Sequence, residues 1–213
     1  MSPLKKTRKR QKVKAKSELS RSNLVIGLTG PFGSGCGEMR KVLEDLKFHG
    51  FKISDDIRGE LRATRGLIEK GQPNWRKKLQ DHGNKQREEN RGYWVNKVMK
   101  RINEANVGDE EVVIDGFRNS QEVQEIRKIY PNFFLVAICA EKNERWQRVK
   151  ADYEGRYNEF ERDDRRDRSE DFDWGQCVKN VWITRIMSTI TTKVSLFTHK
   201  ERKSRIWIRL RER

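Results

Sequence analysis

The sequence predicts an α/β fold of three layers, a parallel sheet covered by helices on both faces, and three observations predict it. Apolar runs at residues 24–29, 111–116 and 133–140 are continuous rather than alternating, as strands buried on both faces are. Between them lie segments whose apolar residues recur at helical spacing, and helices between such strands build a layered α/β domain. The length of 213 residues supplies one core with room for tails, not two full domains.

The elements follow in order. Leu24-Val25-Ile26-Gly27-Leu28-Thr29 is a short strand that ends in Gly30-Pro31-Phe32-Gly33-Ser34-Gly35, and Met39, Val42, Leu43 and Leu46 then mark a helix. Residues 48–53 form a second strand, with Asp55 and Asp56 just past its end. Residues 57–105 are polar with intermittent helical periodicity through Leu61, Leu67, Ile68, Trp75, Leu79, Tyr93, Val95 and Met99, which predicts several helices. The strand at 111–116 closes on Asp115 and Gly116, and the strand at 133–140 is apolar throughout. No internal repeat and no Pro- or Gly-rich linker interrupts the order.

Charge divides the chain into three parts. The net charge is +16, but residues 1–22 carry nine Lys/Arg against one acid and residues 199–213 carry seven against two, leaving only +3 for the centre. The centre therefore reads as a nearly balanced globular body, not as a uniformly basic nucleic-acid binder. The predicted organisation is a disordered basic tail at 1–22, a folded domain at 23–180 and a divergent basic segment at 181–213. The tail lacks aromatic residues to stack on bases, so it reads as a solvated arm, or as a weak polyanion or nucleic-acid contact governed by salt. The longest uncharged stretch, residues 22–37, contains five glycines and is no membrane span, and no apolar signal-peptide region follows the basic start. Cys36, Cys139 and Cys177 are odd in number and widely spaced, which predicts reduced thiols in a cytoplasmic protein rather than a disulfide framework.

The glycine loop is the first candidate site. A phosphate-binding loop has the pattern Gly, four residues, Gly, Lys, then Ser or Thr, between a strand and a helix, because its amides and the helix N-terminus converge on phosphate oxygens. Gly30, Pro31, Phe32, Gly33, Ser34 and Gly35 supply that backbone in that context. Cys36 stands where a lysine would hold the β- and γ-phosphates, and Gly37 where a hydroxyl would reach magnesium. The alternative is a glycine-rich turn with no ligand.

Further candidates surround it. Asp115, at the end of its strand, is placed to hold Mg2+ through water, or to cap the next helix; Arg118 is placed to clamp an acceptor phosphate. Asp55 and Asp56 sit where open α/β sheets place ligands, or at a helix N-terminus. Arg145, Arg148, Arg162, Arg165, Arg166 and Arg168, interspersed with Asp163, Asp164 and Asp167, read either as a solvated helix face or as a lid that brings arginines onto transferring phosphates.

Several segments together resemble one family. The run from Ile26-Gly27-Leu28-Thr29-Gly30 through Cys36 resembles the loop of P-loop nucleoside monophosphate kinase-like proteins, in particular the kinase-like domain that precedes the deaminase domain in deoxycytidylate deaminase-related proteins. Leu79-Gln80-Asp81-His82-Gly83-Asn84-Lys85-Gln86-Arg87-Glu88 is similar to that family's middle region. Val113-Ile114-Asp115-Gly116-Phe117-Arg118-Asn119 with Glu122-Val123 is similar to its strand-end motif, and residues 160–167 with Gly175-Gln176 to its acidic-arginine lid. The similarity spans residues 24–180. It implies a three-layer P-loop NTPase fold of the nucleotide-kinase type, nucleotide binding, Mg2+ with ATP or another nucleoside triphosphate as cofactor, and a place in deoxynucleotide metabolism. Gly37 departs from the family, which keeps Ser or Thr there, and the chain carries no zinc deaminase signature, so deamination is excluded.

The expectation is thus a nucleotide-binding protein that transfers phosphate to a nucleoside monophosphate. Asp55 or Asp56, Asp115, Arg118, Arg162 and Arg165 would be catalytic; residues 30–37 with Arg145 and Arg148 would bind phosphate, and Asp115 the metal. The alternatives are a catalytically degenerate nucleotide-binding sensor or partner module, and a basic nucleic-acid-associated protein.

Overall fold

The computed structural model describes residues 24–66, 69–168, 178, 192–194 and 206–208. The tail at 1–22, the helical markers Leu67 and Ile68, and Gly175 and Gln176 of the lid motif lie outside the described residues.

Strand β1 (Val25–Thr29) runs parallel between β3 (Val112–Asp115) and β4 (Phe133–Ile138), and β2 (His49–Lys52) pairs in parallel with β3. The parallel order is therefore β2-β3-β1-β4. The strand order reverses at β1, whose flanking strands both come later in sequence, and in open α/β sheets that reversal opens the ligand crevice at the carboxyl ends. Register puts Leu28 beside Asp115 and Lys52 beside Asp115, so the ends of three strands meet at one edge. Within the segment read as divergent, β5 (Thr192–Val194) and β6 (Ile206–Ile208) extend the sheet antiparallel beyond β4.

Both faces of the sheet are covered, as its continuous apolar strands require. Val113 faces a core with Leu28, Val136 and Ile138, onto which Met39 and Leu43 of α1 (Cys36–Asp45) pack. Its neighbours Val112 and Ile114 face the opposite side, where α2 (Ile53–Arg65), α4 (Tyr93–Glu104) and α5 (Ser120–Ile129) close over them through Ile57, Val98 and Ile126. Each such fully buried side chain contributes roughly 1.5–3 kcal/mol. Helix α3 (Trp75–Glu89) packs outside α2 and α4. After β4, α6 (Lys142–Val149), a 3-10 turn (Lys150–Tyr153) and α7 (Tyr157–Arg168) enclose Val149, Tyr153 and Phe160.

Two local features position the site. β2 passes into α2 with no connecting loop: Lys52 is extended at φ −134° and Ile53 is already helical. The start of α5 is a capping box in which the Asn119 side chain accepts from Gln121 N at 2.8 Å and Glu122 accepts from Asn119 N at 3.1 Å. The helix is therefore capped by Asn119, and Asp115 is left for another role. No helix among the described residues is long and apolar enough to cross a membrane.

Candidate functional site

The loop between β1 and α1 needs glycine at two points. Gly35, the N-cap of α1, has φ 110°, and Gly33 has φ 76° with a Cβ there falling 2.7 Å from the Arg145 carbonyl. The turn so formed leads into the first turn of α1, whose amides have no partner within the helix and attract anions. Its carbonyls are held by arginines: Arg118 Nη1 donates to Gly30 O, Arg145 Nη1 to Phe32 O at 3.1 Å, and Arg148 Nη1 to Gly33 O at 3.0 Å and Ser34 O at 3.2 Å. With those acceptors occupied, the loop's remaining hydrogen-bonding capacity is largely N–H.

Two of these arginines are anchored in turn by α7. Arg145 makes a two-point ion pair with Asp164, and Arg118 pairs with Asp167 at 3.3 Å. Both carboxylates are fully buried. Burial pushes the Asp167 carboxyl up to about 6, against the pull of Arg118 and Arg76. Neither reading of this region, solvated face or lid, describes α7: it is a packed buttress whose aspartates face inward. Arg162, 42% exposed, turns back to its neighbour Asp163 at 2.9 Å, and Arg165 is exposed, so neither reaches the loop. Arg166 pairs with Asp81 at 2.6 Å and Arg168 with Asp164 at 3.0 Å. Arg145, Arg148 and Arg118 do meet the loop, but by supporting its backbone.

A cavity of about 930 Å³ opens in front of the loop. Residues 30–37 line it together with Asp115, Arg118 and Arg148, so the structure brings most of the predicted site together. Asp115 is 5% exposed; burial raises its carboxyl above the usual range, opposed by Lys52 and Arg118. Burial likewise pushes the Cys36 thiol up to about 12, and Ser34 Oγ lies 3.5 Å from its sulfur. A Cβ on Gly37 would meet nothing within 4 Å.

Asp55 and Asp56 do not line the cavity. Because α2 begins at Ile53, they ride its first turn outward, Asp55 toward Arg58 at 3.4 Å and Asp56 toward Arg101 at 2.9 Å. Lys52 and Ser54 take the wall instead. The far wall comes from α3: Gln80 and Arg87, 1% and 0% exposed, each carry a buried atom without a hydrogen-bond partner, Gln80 Oε1 and Arg87 Nη2. Gln80 Nε2 donates to Asp163 O at 3.1 Å and Arg87 Nε to Glu122 at 2.8 Å, which fixes both side chains. Gly83 makes room between them, since a Cβ there would lie 3.1 Å from Arg87 Nη1.

Sequence reasoning missed Lys52, Arg76, Gln80 and Arg87 as cavity residues. Gln80 and Arg87 lie inside the stretch 79–88 singled out for its resemblance, seven residues apart on a helix, and that spacing was the available signal. A second hollow of about 580 Å³, lined by Glu44, Lys47, Phe48, His49, Glu110 and Glu111, lies at the opposite end of the sheet.

The residues present fit a nucleoside triphosphate with its cation. Among the described residues no group of three or more metal-ligating side chains gathers, and none is needed: Mg2+ is commonly held by one or two carboxylates plus the substrate's own phosphates. Asp115 is the carboxylate in place.

The sheet order and the glycine turn between β1 and α1 define an α/β P-loop NTPase fold, a nucleotide-binding domain. Residues 26–172 match the family described as AAA domain, and the chain belongs to that family. It is 32% identical over 151 residues to a UPF0200 protein of Methanothermobacter thermautotrophicus, covering 67% of this chain and 71% of that one. It is 30% identical over 127 residues to a UPF0200 protein of Thermoplasma acidophilum, covering 59% of this chain and 64% of the other. A solved structure from Chloroflexus aurantiacus, provisionally described as a kinase, superimposes with a TM-score of 0.46 at 11% identity, over 67% of this chain and 78% of that one.

Proposed function

We propose that this protein transfers a phosphoryl group from a nucleoside triphosphate bound at the glycine loop to a nucleoside monophosphate seated against α3. The observation that carries the reading is the continuity of the cavity: the loop, Asp115, Gln80 and Arg87 line one space, and the last two each carry a buried polar atom without a partner. Buried polar atoms without partners are costly, by about 1–3 kcal/mol each, and a ligand with a donor for Gln80 Oε1 and an acceptor for Arg87 Nη2 relieves both. A nucleobase edge offers that pair.

In transfer, the bond from the γ-phosphorus to the β-bridging oxygen breaks and a bond to an acceptor phosphate oxygen forms, with no change of oxidation state. The loop amides hold the donor phosphates, and the sealed walls hold the acceptor in line; positioning and fixed charge supply most of such catalysis. Mg2+, when bound with the triphosphate, would supply charge neutralisation between phosphates, with Asp115 holding it through water. A cytoplasmic setting and an acceptor from the deoxynucleotide pool belong to the same proposal.

Cys36 and Gly37 favour a second reading, a sensor that binds nucleotide without turnover, because loss of each group removes transition-state stabilisation worth on the order of a hundredfold. Thermal shift against nucleoside mono-, di- and triphosphates, followed by a transfer assay with the stabilising pair, separates the readings. Stabilisation with turnover supports the transferase. Stabilisation without turnover supports the sensor, and no stabilisation by any nucleotide overturns both.

A further inference from the structure

Cations are plentiful around the cavity, and nearly all are already committed. Arg118 and Arg148 hold loop carbonyls, Arg87 holds Glu122, Arg58 holds Ser54 and Asp55, Lys70 holds Asp152 and Lys41 holds Glu38. Lys52 faces Asp115, its partner in strand register. Arg76, in the first turn of α3, is different: among the described residues no carboxylate lies within ion-pair distance of its guanidinium, and its buried Nε has no hydrogen-bond partner.

Its position is specific. The guanidinium carbon stacks 3.8 Å from the ring centre of Phe32, the third residue of the loop, and 4.3 Å from that of its neighbour Trp75. Two aromatic faces hold the planar group beside the loop, with the Tyr153 side chain as its hydrogen-bonding neighbour and no described carboxylate neutralising it at contact. The chain thus lacks a cation at Cys36, inside the loop, and keeps against the loop's Phe32 one that no described carboxylate pairs with directly.

We propose that Arg76 supplies to the outer phosphates of a bound nucleoside triphosphate the positive charge that the loop lacks at Cys36. A guanidinium suits this placement better than an ammonium, because it stacks and still presents two parallel donors to phosphate oxygens. The inference rests on the nucleotide-binding reading above and goes further, in assigning the charge to a helix outside the loop. Asp163 and Asp167 influence Arg76 from beyond ion-pair distance.

The test uses the full chain. The triphosphate that most stabilises the wild type among ATP, GTP, CTP and UTP is titrated into Arg76→Gln, Arg76→Lys, Cys36→Lys and the Cys36→Lys/Arg76→Gln double variant, beside the matching monophosphate. Arg76→Gln is expected to weaken the triphosphate at least tenfold and the monophosphate less than threefold, and Cys36→Lys in that background to restore most of the loss. Unchanged triphosphate binding by Arg76→Gln overturns the assignment. So does a loss shared equally by the monophosphate and not restored by the lysine, which marks Arg76 as packing for Phe32 and Trp75. If Arg76→Gln does not fold, Cys36→Lys alone decides: a gain under threefold supports an occupied role, and a gain over tenfold shows the position was empty of charge. A wild type that binds no triphosphate defeats the nucleotide reading itself, a different result from any of these.

Discussion

Arg145 of α6 and Asp164 of α7 meet in a two-point ion pair, Nη1 to Oδ1 at 2.5 Å and Nη2 to Oδ2 at 3.2 Å, with the side chains 3% and 0% exposed. The same Nη1 reaches Phe32 O, so one guanidinium joins the buttress helix to the loop. Removing one partner of a sealed pair strands a buried charge at a cost of about 3–5 kcal/mol. Arg145→Ala and Asp164→Asn are each expected to lower stability by that order in urea unfolding, whereas Arg162→Ala, on the exposed face of α7, should change it by less than about 0.5 kcal/mol.

The buried Asp167 gives stability a pH dependence of defined sign. Its carboxyl is raised to about 6 in the folded protein, above the ordinary value of 3.8, by burial. A raised group contributes stability that is full below the unfolded value and lost as pH rises through the folded one. Relative to wild type, Asp167→Asn is therefore expected to gain in melting temperature as pH is raised from about 4 to about 6. A difference that is flat or falls over that window would show that the pairing with Arg118, not burial, governs the group.

Cys36 should be a poor nucleophile although it lines an open cavity. Burial pushes its thiol up to about 12, and the thiolate is the reactive form. Alkylation by iodoacetamide at pH 8, followed by mass spectrometry of the peptide containing Cys36, is expected to run far slower than for the unfolded chain, and slower again with nucleotide bound.

Gly37 offers a direct gain of function. A side chain there meets nothing within 4 Å, and the position lies inside α1. Gly37→Ser is expected to stabilise the helix by roughly 0.5 kcal/mol on propensity alone. The added hydroxyl should also strengthen triphosphate binding when Mg2+ is present and leave it unchanged in EDTA, as read by calorimetry.

The elements that place the loop were legible because their signals are local. Continuous apolar runs located β1, β3 and β4, and the glycine pattern located the turn before α1. The α7 buttress was not, because Asp163, Asp164 and Asp167 alternate with arginines as solvated residues do, while Arg145 and Arg118, the partners that bury the last two, lie 19 and 49 residues away. The same distance hid the roles of Arg145 and Arg148, whose carbonyl partners lie 113 to 115 residues earlier. Asp55 and Asp56 were misplaced for a smaller reason: the direct passage from β2 at Lys52 to α2 at Ile53 puts them on a helix side instead of a strand end.

Arginines tie back the carbonyls of Gly30, Phe32, Gly33 and Ser34, and Ser34 N donates to Pro31 O at 3.1 Å, so the loop's shape is fixed by contacts to its own fold. A socket set in this way exists before any ligand arrives, so on the nucleotide-binding reading inorganic phosphate is expected to compete with nucleotide for the same loop.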